Sequence, residues 1–384
     1  MKPKKKILLF IDWYLPGFKA GGPITSCANL VGHLSNHYDF YIVTRNTDYC
    51  DTEPYEFIRS DFWNKQKDGS LVYYVSDGNL NFSFFKKLVK SIEFDVMYIN
   101  GIYSKYFSIY PLLISKSMEK YALVSARGML AGSAIGVKFY KKRLFLFLAS
   151  LLKLYRGIEF HATNENEKQD IYDSIGENTK VKIAPNLHKV NLNSPTSSTK
   201  KVKDVLSLIS IARISPEKNL YQLLEMLIKQ SANITLDIYG TLYNLKYWQE
   251  CQVLISKMPN NIKISYRGTI HPNSIEETIK KHHFLTLLSF GENFGHVVLE
   301  SFMAARPVII SDQTPWKNLN ERVLGWDLDL KRKDEINNAI IEAAQMDQKD
   351  FDKYVESSSK FAKSIIEDET IVKQSVDLFC NYGD

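Results

Sequence analysis

Two acids in this sequence stand where an apolar strand pattern gives way to an apolar helix pattern. In SFGENFGHVVLESFMAARPVIISD, residues 289–312, Glu292 follows the run FLTLLSF and Glu300 lies eight positions further on, inside a helical pattern whose apolar face is Val298, Phe302 and Ala305. A carboxylate on a helix face can accept two hydroxyl hydrogen bonds, as a ribose diol requires, and one at a strand end can meet a second polyol. For Glu300 the plain alternative is an exposed helix acid. Between them, Phe294-Gly295 permits close approach of backbone to a ligand.

Two cations occupy a similar place earlier in the second half. VLSLISIAR ends in Arg213 and is followed by Ile-Ser-Pro-Glu-Lys218 before a helix expected from Asn219. Cations on a strand-to-helix loop can neutralise a diphosphate that gains charge as a bond breaks. Solvated surface charge is the ordinary explanation for such a pair. Near the beginning, Gly21-Gly22-Pro23 leads into a helix pattern at Ile24, Ala28, Val31 and Leu34. Proline in a first helical turn, with glycines before it, turns backbone N–H groups toward an anion or simply makes a turn. The six-residue dinucleotide fingerprint is absent, which argues against a conventional NAD or FAD site.

Other candidates carry less. Asp327-Leu328-Asp329 is a three-residue D-x-D pattern expected often by chance, and it lies outside these loops. His282-His283 has no metal-ligand spacing, and neither have the four cysteines at 27, 50, 251 and 380, which are too few for a disulfide framework. No metal site is expected.

The elements that must position these residues are legible as runs of β-branched and apolar residues. KILLFID, FYIVT, DVMYIN, ALVSAR, IEFHAT and VKIAPN precede residue 190; VLSLISIAR, ITLDIYG, IKISYRG, FLTLLSF and PVIISD follow residue 204. Amphipathic segments such as NLYQLLEMLIKQ separate them, the rhythm of βαβ units and parallel sheets. Ligands of such sheets bind beyond the carboxyl ends of the strands, which is where the acids and cations fall. A chain of 384 residues, 45% hydrophobic and 24% charged, fits about two globular domains and neither a disordered nor a fibrous class. The polar stretch 191–203 reads as a linker between domains 1–190 and 204–365, with 366–384 as a C-terminal helix.

The net charge of +6 is unevenly divided: residues 1–190 carry +8 and residues 191–384 carry −2. A basic half can attract nucleic acid, anionic lipid or a phosphorylated substrate. The opening apolar run is too short for a signal peptide, and Leu144–Leu152 falls well short of the roughly 20 residues of a membrane span. A cytoplasmic protein is expected.

Taken in order, these segments resemble a known family. Glu292 and Glu300 with their surroundings look like the E-x7-E signature of the family 4 glycosyltransferases, retaining enzymes of the GT-B fold, two Rossmann-like parallel-sheet domains facing a central cleft. KAGGPITSCANLVGHL, INGIYS, VSARGML, KKRLFLFLASLL, HATNENE, IARISPEKN, DIYG and TPWKNL agree in order over nearly the whole chain. The resemblance implies transfer of a sugar from a nucleotide diphosphate donor, UDP by preference, to a hydroxyl of a glycan or lipid-diphosphate-linked acceptor in surface polysaccharide synthesis. It implies no cofactor, no metal and no nucleic acid partner. By that similarity the second half holds the donor and the first the acceptor, and 366–384 packs back on the first. Glu292 meets donor-sugar hydroxyls, Glu300 the ribose, Arg213 and Lys218 the diphosphate, and Asn293, Phe294 and Gly295 line the sugar pocket, with Gly21 and Gly22 also on the donor. Arg127 occupies the place of a histidine that many members present to the reacting sugar, and Ala305 replaces a usual glycine, so a left-handed turn there costs about 1–2 kcal/mol or the turn is built differently. The rival readings are a nucleotide-sugar 2-epimerase of the same shape and a binding protein without turnover.

One segment bears on location. VKFYKKRLFLFLASLLKLYRG, residues 137–157, groups Lys138, Lys141, Lys142 and Arg143 before a Leu and Phe run that is expected to be buried against the sheet. Together with Lys2 and Lys4 to Lys6, these cations can face anionic lipid, a peripheral and salt-sensitive attachment.

Overall fold

The computed structural model describes residues 3–132, 139–189 and 199–380. The chain forms two compact units, one of Met1–Val190 with Asp368–Asp384, the other of Asn191–Glu367.

In the first unit the strands are β1 (Lys5–Phe10), β2 (Tyr38–Arg45), β3 (Trp63–Lys65), β4 (Leu71–Val75), β5 (Val96–Asn100), β6 (Ala122–Ser125), β7 (Glu159–Ala162) and β8 (Lys180–Ile183). They lie in the order β3-β4-β2-β1-β5-β6-β7-β8, and only the β3–β4 pair is antiparallel. Strand β1 sits in the middle with Ile7, Leu8, Leu9 and Phe10 all buried, because helices cover both faces of a parallel sheet. Burying each such side chain contributes about 1.5–3 kcal/mol. The helix Glu369–Asp377 belongs to this unit and lies on the helix Gly22–Leu34; the Tyr38 hydroxyl donates to the Val376 carbonyl at 2.9 Å, and the Phe379 ring is fully buried among Tyr38, Phe40 and Tyr98.

The second unit contains β9 (Val205–Ile211), β10 (Asn233–Tyr239), β11 (Ile262–Tyr266), β12 (Phe284–Leu287), β13 (Val308–Ser311) and β14 (Gly325–Leu328), all parallel, in the order β11-β10-β9-β12-β13-β14. This is the doubly wound arrangement, in which the order reverses between the first strand and the fourth.

Several expectations change here. Strands β3, β4 and β14 are additional to the runs read from the sequence: tyrosines interrupt the apolar run in LVYYV, and GWDL is short and contains an acid. The linker expected over 191–203 does not extend to 203. Its first eight residues lie outside the described residues, while residues 199–203 belong to the second unit, where the buried Lys201 ammonium donates to the carbonyls of Ala344 and Met346 and so caps the end of the helix Lys333–Gln345. The boundary expected at 366 falls at 368, since Ile366 ends the helix Gln348–Ile366 of the second unit.

The Leu and Phe run does form a helix, Phe139–Leu151, but it is not simply core: Ala149 is buried while Leu144, Phe147, Leu148, Leu151 and Leu152 are exposed. Of the basic residues grouped with it, Lys2 and Lys138 lie outside the described residues.

Ala305 adopts the left-handed conformation, φ +55°. The turn closes with the Arg306 amide donating to the Ser301 carbonyl at 2.8 Å. The Arg306 side chain, fully buried, donates to the carbonyls of His282, Lys280 and Ala305, which offsets the strain at Ala305. Burial lowers the Arg306 pKa to about 10.

Candidate active site

In the second unit the order reversal lies between β9 and β12. The loops after those two strands carry Arg213, Lys218 and Glu292. After β9, Pro216–Lys218 makes a single tight turn, Asn219 takes φ +54°, and the helix Leu220–Leu227 begins. Asn tolerates that conformation better than most side chains, which lets the chain enter the helix directly behind Lys218. The Phe290 amide donates to the Glu217 carbonyl at 2.9 Å, and the Glu292 amide donates to the Gln313 carbonyl at 2.9 Å. Loops from β9, β12 and β13 are therefore tied together by backbone bonds before any side chain acts.

That framework sets Lys218 Nζ 2.6 Å from Glu292 Oε1, with the two side chains only 18% and 12% exposed. A short pair so shielded is screened much less than a surface one, so each partner fixes the other's position. Arg213 is held more loosely. Its guanidinium lies 3.8 Å from the Glu217 carboxylate and 5.5 Å from the centre of the Tyr243 ring, and its side chain is 36% exposed. A glycine makes this crowding possible: a Cβ on Gly240, at the end of β10, would fall 1.8 Å from the Ala212 carbonyl oxygen.

Beyond Glu292 the chain runs through Asn293 and Phe294 to Gly295, whose φ of +74° places it as the N-cap of the helix His296–Met303. Val298, Leu299 and Phe302 are buried, as the apolar spacing implied. Glu300 is partly buried on that helix, while Glu292 precedes the Gly295 cap. Trp316, which the sequence reading did not place in the site, fixes this loop: its indole N–H donates to the Phe294 carbonyl at 2.5 Å and its ring meets Phe294 and Phe302. Tryptophan in the loop after PVIISD was the available signal. Asp327 of the D-x-D pattern is occupied with structure, accepting from the amides of Asn318 and Leu319. Among the described residues no group of three or more His, Cys, Asp or Glu is placed to hold a metal ion.

The first unit carries the remaining candidates. Gly21, φ +72°, is the N-cap of the helix Gly22–Leu34, with Pro23 in its first turn and no side-chain cap. Arg127 follows β6 with φ +51° and turns its guanidinium into a polar network, donating to Asn100 Oδ1 at 2.8 Å, Asn186 Oδ1 at 2.5 Å and the Tyr98 hydroxyl at 2.9 Å. Tyr98 in turn meets His161 Nδ1 at 2.7 Å, and His161 Nε2 meets the Ala184 carbonyl at 2.8 Å. Burial, and then the nearby Arg127 charge, lower the His161 pKa to about 3, so the ring is neutral, with Nε2 donating to the carbonyl and Nδ1 accepting from Tyr98. Always charged, Arg127 cannot act as a base; three of its five N–H donors are held by this network.

Sequence reading missed a second cluster, at the reversal between β1 and β5. There the Ser104 hydroxyl donates to Asp12 Oδ1 at 2.8 Å, and Arg45, at the end of β2, packs its guanidinium 5.6 Å from the Trp13 ring centre, 5.5 Å from Tyr106 and 5.3 Å from Phe107. Its nearest carboxylates, Asp12 at 3.7 Å and Asp77 at 3.9 Å, are ion-pair neighbours beyond hydrogen-bond length. Burial raises the Asp12 pKa against the lowering influence of Ser104 and Arg45.

Residues 196–361 match the family model described as Glycosyl transferases group 1. The match falls within the second unit. Solved structures similar over the whole chain are GT-B glycosyltransferases, and the chain has the GT-B fold. Anabaena Alr3699/HepE, solved with UDP-glucose, is 15% identical, with 97% of this chain and 98% of that one covered at a TM-score of 0.71. Sucrose-phosphate synthase from Thermosynechococcus elongatus is 13% identical over 98% of each chain, TM-score 0.70. WaaG, a glycosyltransferase involved in lipopolysaccharide biosynthesis, is 12% identical over 98% of this chain and 100% of that one, TM-score 0.66. No curated protein matches the chain.

Proposed function

We propose that the protein is a retaining glycosyltransferase of the family 4 type, moving a sugar from a UDP-sugar to a hydroxyl of a glycan or lipid-diphosphate-linked acceptor in surface polysaccharide synthesis. The observation that carries this reading is the Lys218–Glu292 pair at 2.6 Å, at the order reversal of the group 1 domain. The UDP-glucose bound to the HepE relative supports the choice of donor.

On this reading Glu292 does two things. It orients Lys218 Nζ toward the leaving diphosphate, and its other oxygen accepts from a hydroxyl of the donor sugar. Arg213, loosely held, swings onto the same diphosphate as charge develops there. Glu300 takes the ribose diol, and the backbone of Asn293, Phe294 and Gly295, pinned by Trp316, lines the sugar pocket. Gly21 and Gly22 add backbone donors to the donor phosphates. The two cations supply the positive charge at the leaving group, so turnover is expected to persist in a chelator.

The acceptor belongs to the first unit, where a sugar ring can lie against Trp13 while Asp12 and Arg45 take its hydroxyls. Arg127, its guanidinium held by Asn100, Asn186 and Tyr98, takes the place toward the reacting sugar that the family resemblance gives it. The place of work is the inner face of the cell membrane, with exposed cations of residues 1–190 toward anionic lipid.

Incubation with a panel of nucleotide sugars tests the reading. UDP-sugar hydrolysis without acceptor, and transfer with retained anomeric configuration by nuclear magnetic resonance, are expected. Release of an epimerised nucleotide sugar, or binding with no turnover, would replace it.

A further inference from the structure

The helix Phe139–Leu151 carries apolar residues on two opposite faces, and each apolar face needs apolar surroundings. The first unit supplies only half of them. On the inner side Ala149 is buried, Leu146 packs against the core, and the Phe145 ring lies edge-on to Tyr103 at 5.3 Å. On the outer side Tyr140 is 86% exposed, Leu144 59%, Phe147 65%, Leu148 44% and Leu151 68%, and Leu152 just beyond is 75% exposed. Positions 140, 144, 147, 148 and 151 repeat at three and four residues, so these side chains form one stripe. Isolated exposed leucines need no explanation, but a contiguous stripe of this kind does.

The flanks of the stripe identify its occupant. On a helical wheel Lys141 falls at one border and Arg143 at the other, both exposed, and exposed Lys153 and Arg156 follow the helix end. Apolar side chains bordered by long cations match the boundary between acyl chains and anionic headgroups, where the cations reach back to phosphate. No helix among the described residues is long and apolar enough to cross a membrane, so the fit is to lying in the interface rather than spanning.

We infer that this helix inserts its outer apolar face shallowly into an anionic bilayer. This goes beyond electrostatic attachment, because cations alone would release in salt whereas buried apolar area would not. The inference is independent of the transferase reading, since its test uses no substrate.

The test places a reporter in the stripe of the full chain, Leu148→Trp, and adds mixed phosphatidylcholine and phosphatidylglycerol vesicles. Blue-shifted emission from that tryptophan, quenched by brominated acyl chains and surviving molar salt, is expected. Phe147→Ser with Leu151→Ser should lower vesicle binding in molar salt by about 10-fold or more without changing the melting temperature, since both side chains are already exposed. Lys141→Ser with Arg143→Ser should weaken binding mainly at low salt. Complete release by molar salt, no blue shift, or stripe variants that bind like the original would overturn the inference. So would a concentration-dependent dimer, by ultracentrifugation, that the stripe variants abolish while vesicles bind neither form: the stripe would then be an interface with a second copy.

Discussion

The two sheets reverse strand order once each, and they equip that point differently. In the second unit the reversal holds a cation and an acid in direct contact, Lys218 and Glu292 at 2.6 Å, with little exposure. In the first it holds Arg45 among the Trp13, Tyr106 and Phe107 rings, with its nearest acids at 3.7 and 3.9 Å. A tight charge pair suits a ligand whose charge changes during reaction, because it is set in place beforehand and needs no reorganisation. An aromatic surround suits a ligand recognised by its faces, which tolerates small differences in position. On the proposed function, the second unit's reversal would serve the chemistry and the first unit's the recognition of the acceptor.

The largest effect should come from breaking the charge pair. Lys218→Ala or Glu292→Ala is expected to lower turnover by roughly 100-fold or more in a saturating assay with donor and acceptor. Each also strands the other's charge at a shielded position, costing about 2 kcal/mol in thermal unfolding, less than for a fully buried pair. Lys218→Met with Glu292→Leu should recover that stability without recovering turnover; if both return, the pair is structural and the contrast between the units fails. Next is Trp13→Ala, which should raise KM for the acceptor by about 10-fold and leave KM for the donor unchanged, from the loss of roughly 1–1.5 kcal/mol of ring contact. An effect on the donor alone would reverse the assignment of the two units. Arg45→Lys keeps the charge but loses the flat guanidinium, so the same initial-rate measurement should show about a 3-fold rise in acceptor KM.

The smallest effect on turnover is expected at His161. With its pKa lowered from the ordinary 6.5 to about 3 in the folded protein, the neutral ring stabilises the fold above pH 6.5, and that contribution is lost as the pH falls toward 3. His161→Gln should leave turnover at neutral pH nearly unchanged and flatten the acid side of a melting temperature versus pH series. A large loss of turnover at neutral pH would move the Tyr98–His161–Arg127 network from scaffold to chemistry.

Much of this was legible before the fold was seen. The β-branched runs marked eleven of the strands, and the strand-to-helix position of Arg213, Lys218 and Glu292 followed from them, because period and length are local properties. Partnerships were not. Lys218 and Glu292 are 74 positions apart, and Ser104 and Asp12 are 92 apart, so only strand order brings them together. The place of Arg127 after β6 was readable, while its three acceptors, Asn100, Asn186 and Tyr98, were not. For the Phe139–Leu151 helix, composition told of apolar surroundings but not that the protein core supplies them on one side only.

The central claim, that the charged reversal takes the nucleotide and the aromatic one the acceptor, is most directly tested by calorimetric titration of UDP into the protein and three variants. Arg213→Ala and Glu300→Gln should each weaken UDP binding by about 10-fold, the loss of one charge-assisted contact to phosphate or ribose, while Trp13→Ala should bind UDP as the unaltered protein does. UDP binding that Trp13→Ala abolishes and the other two leave untouched would contradict the account.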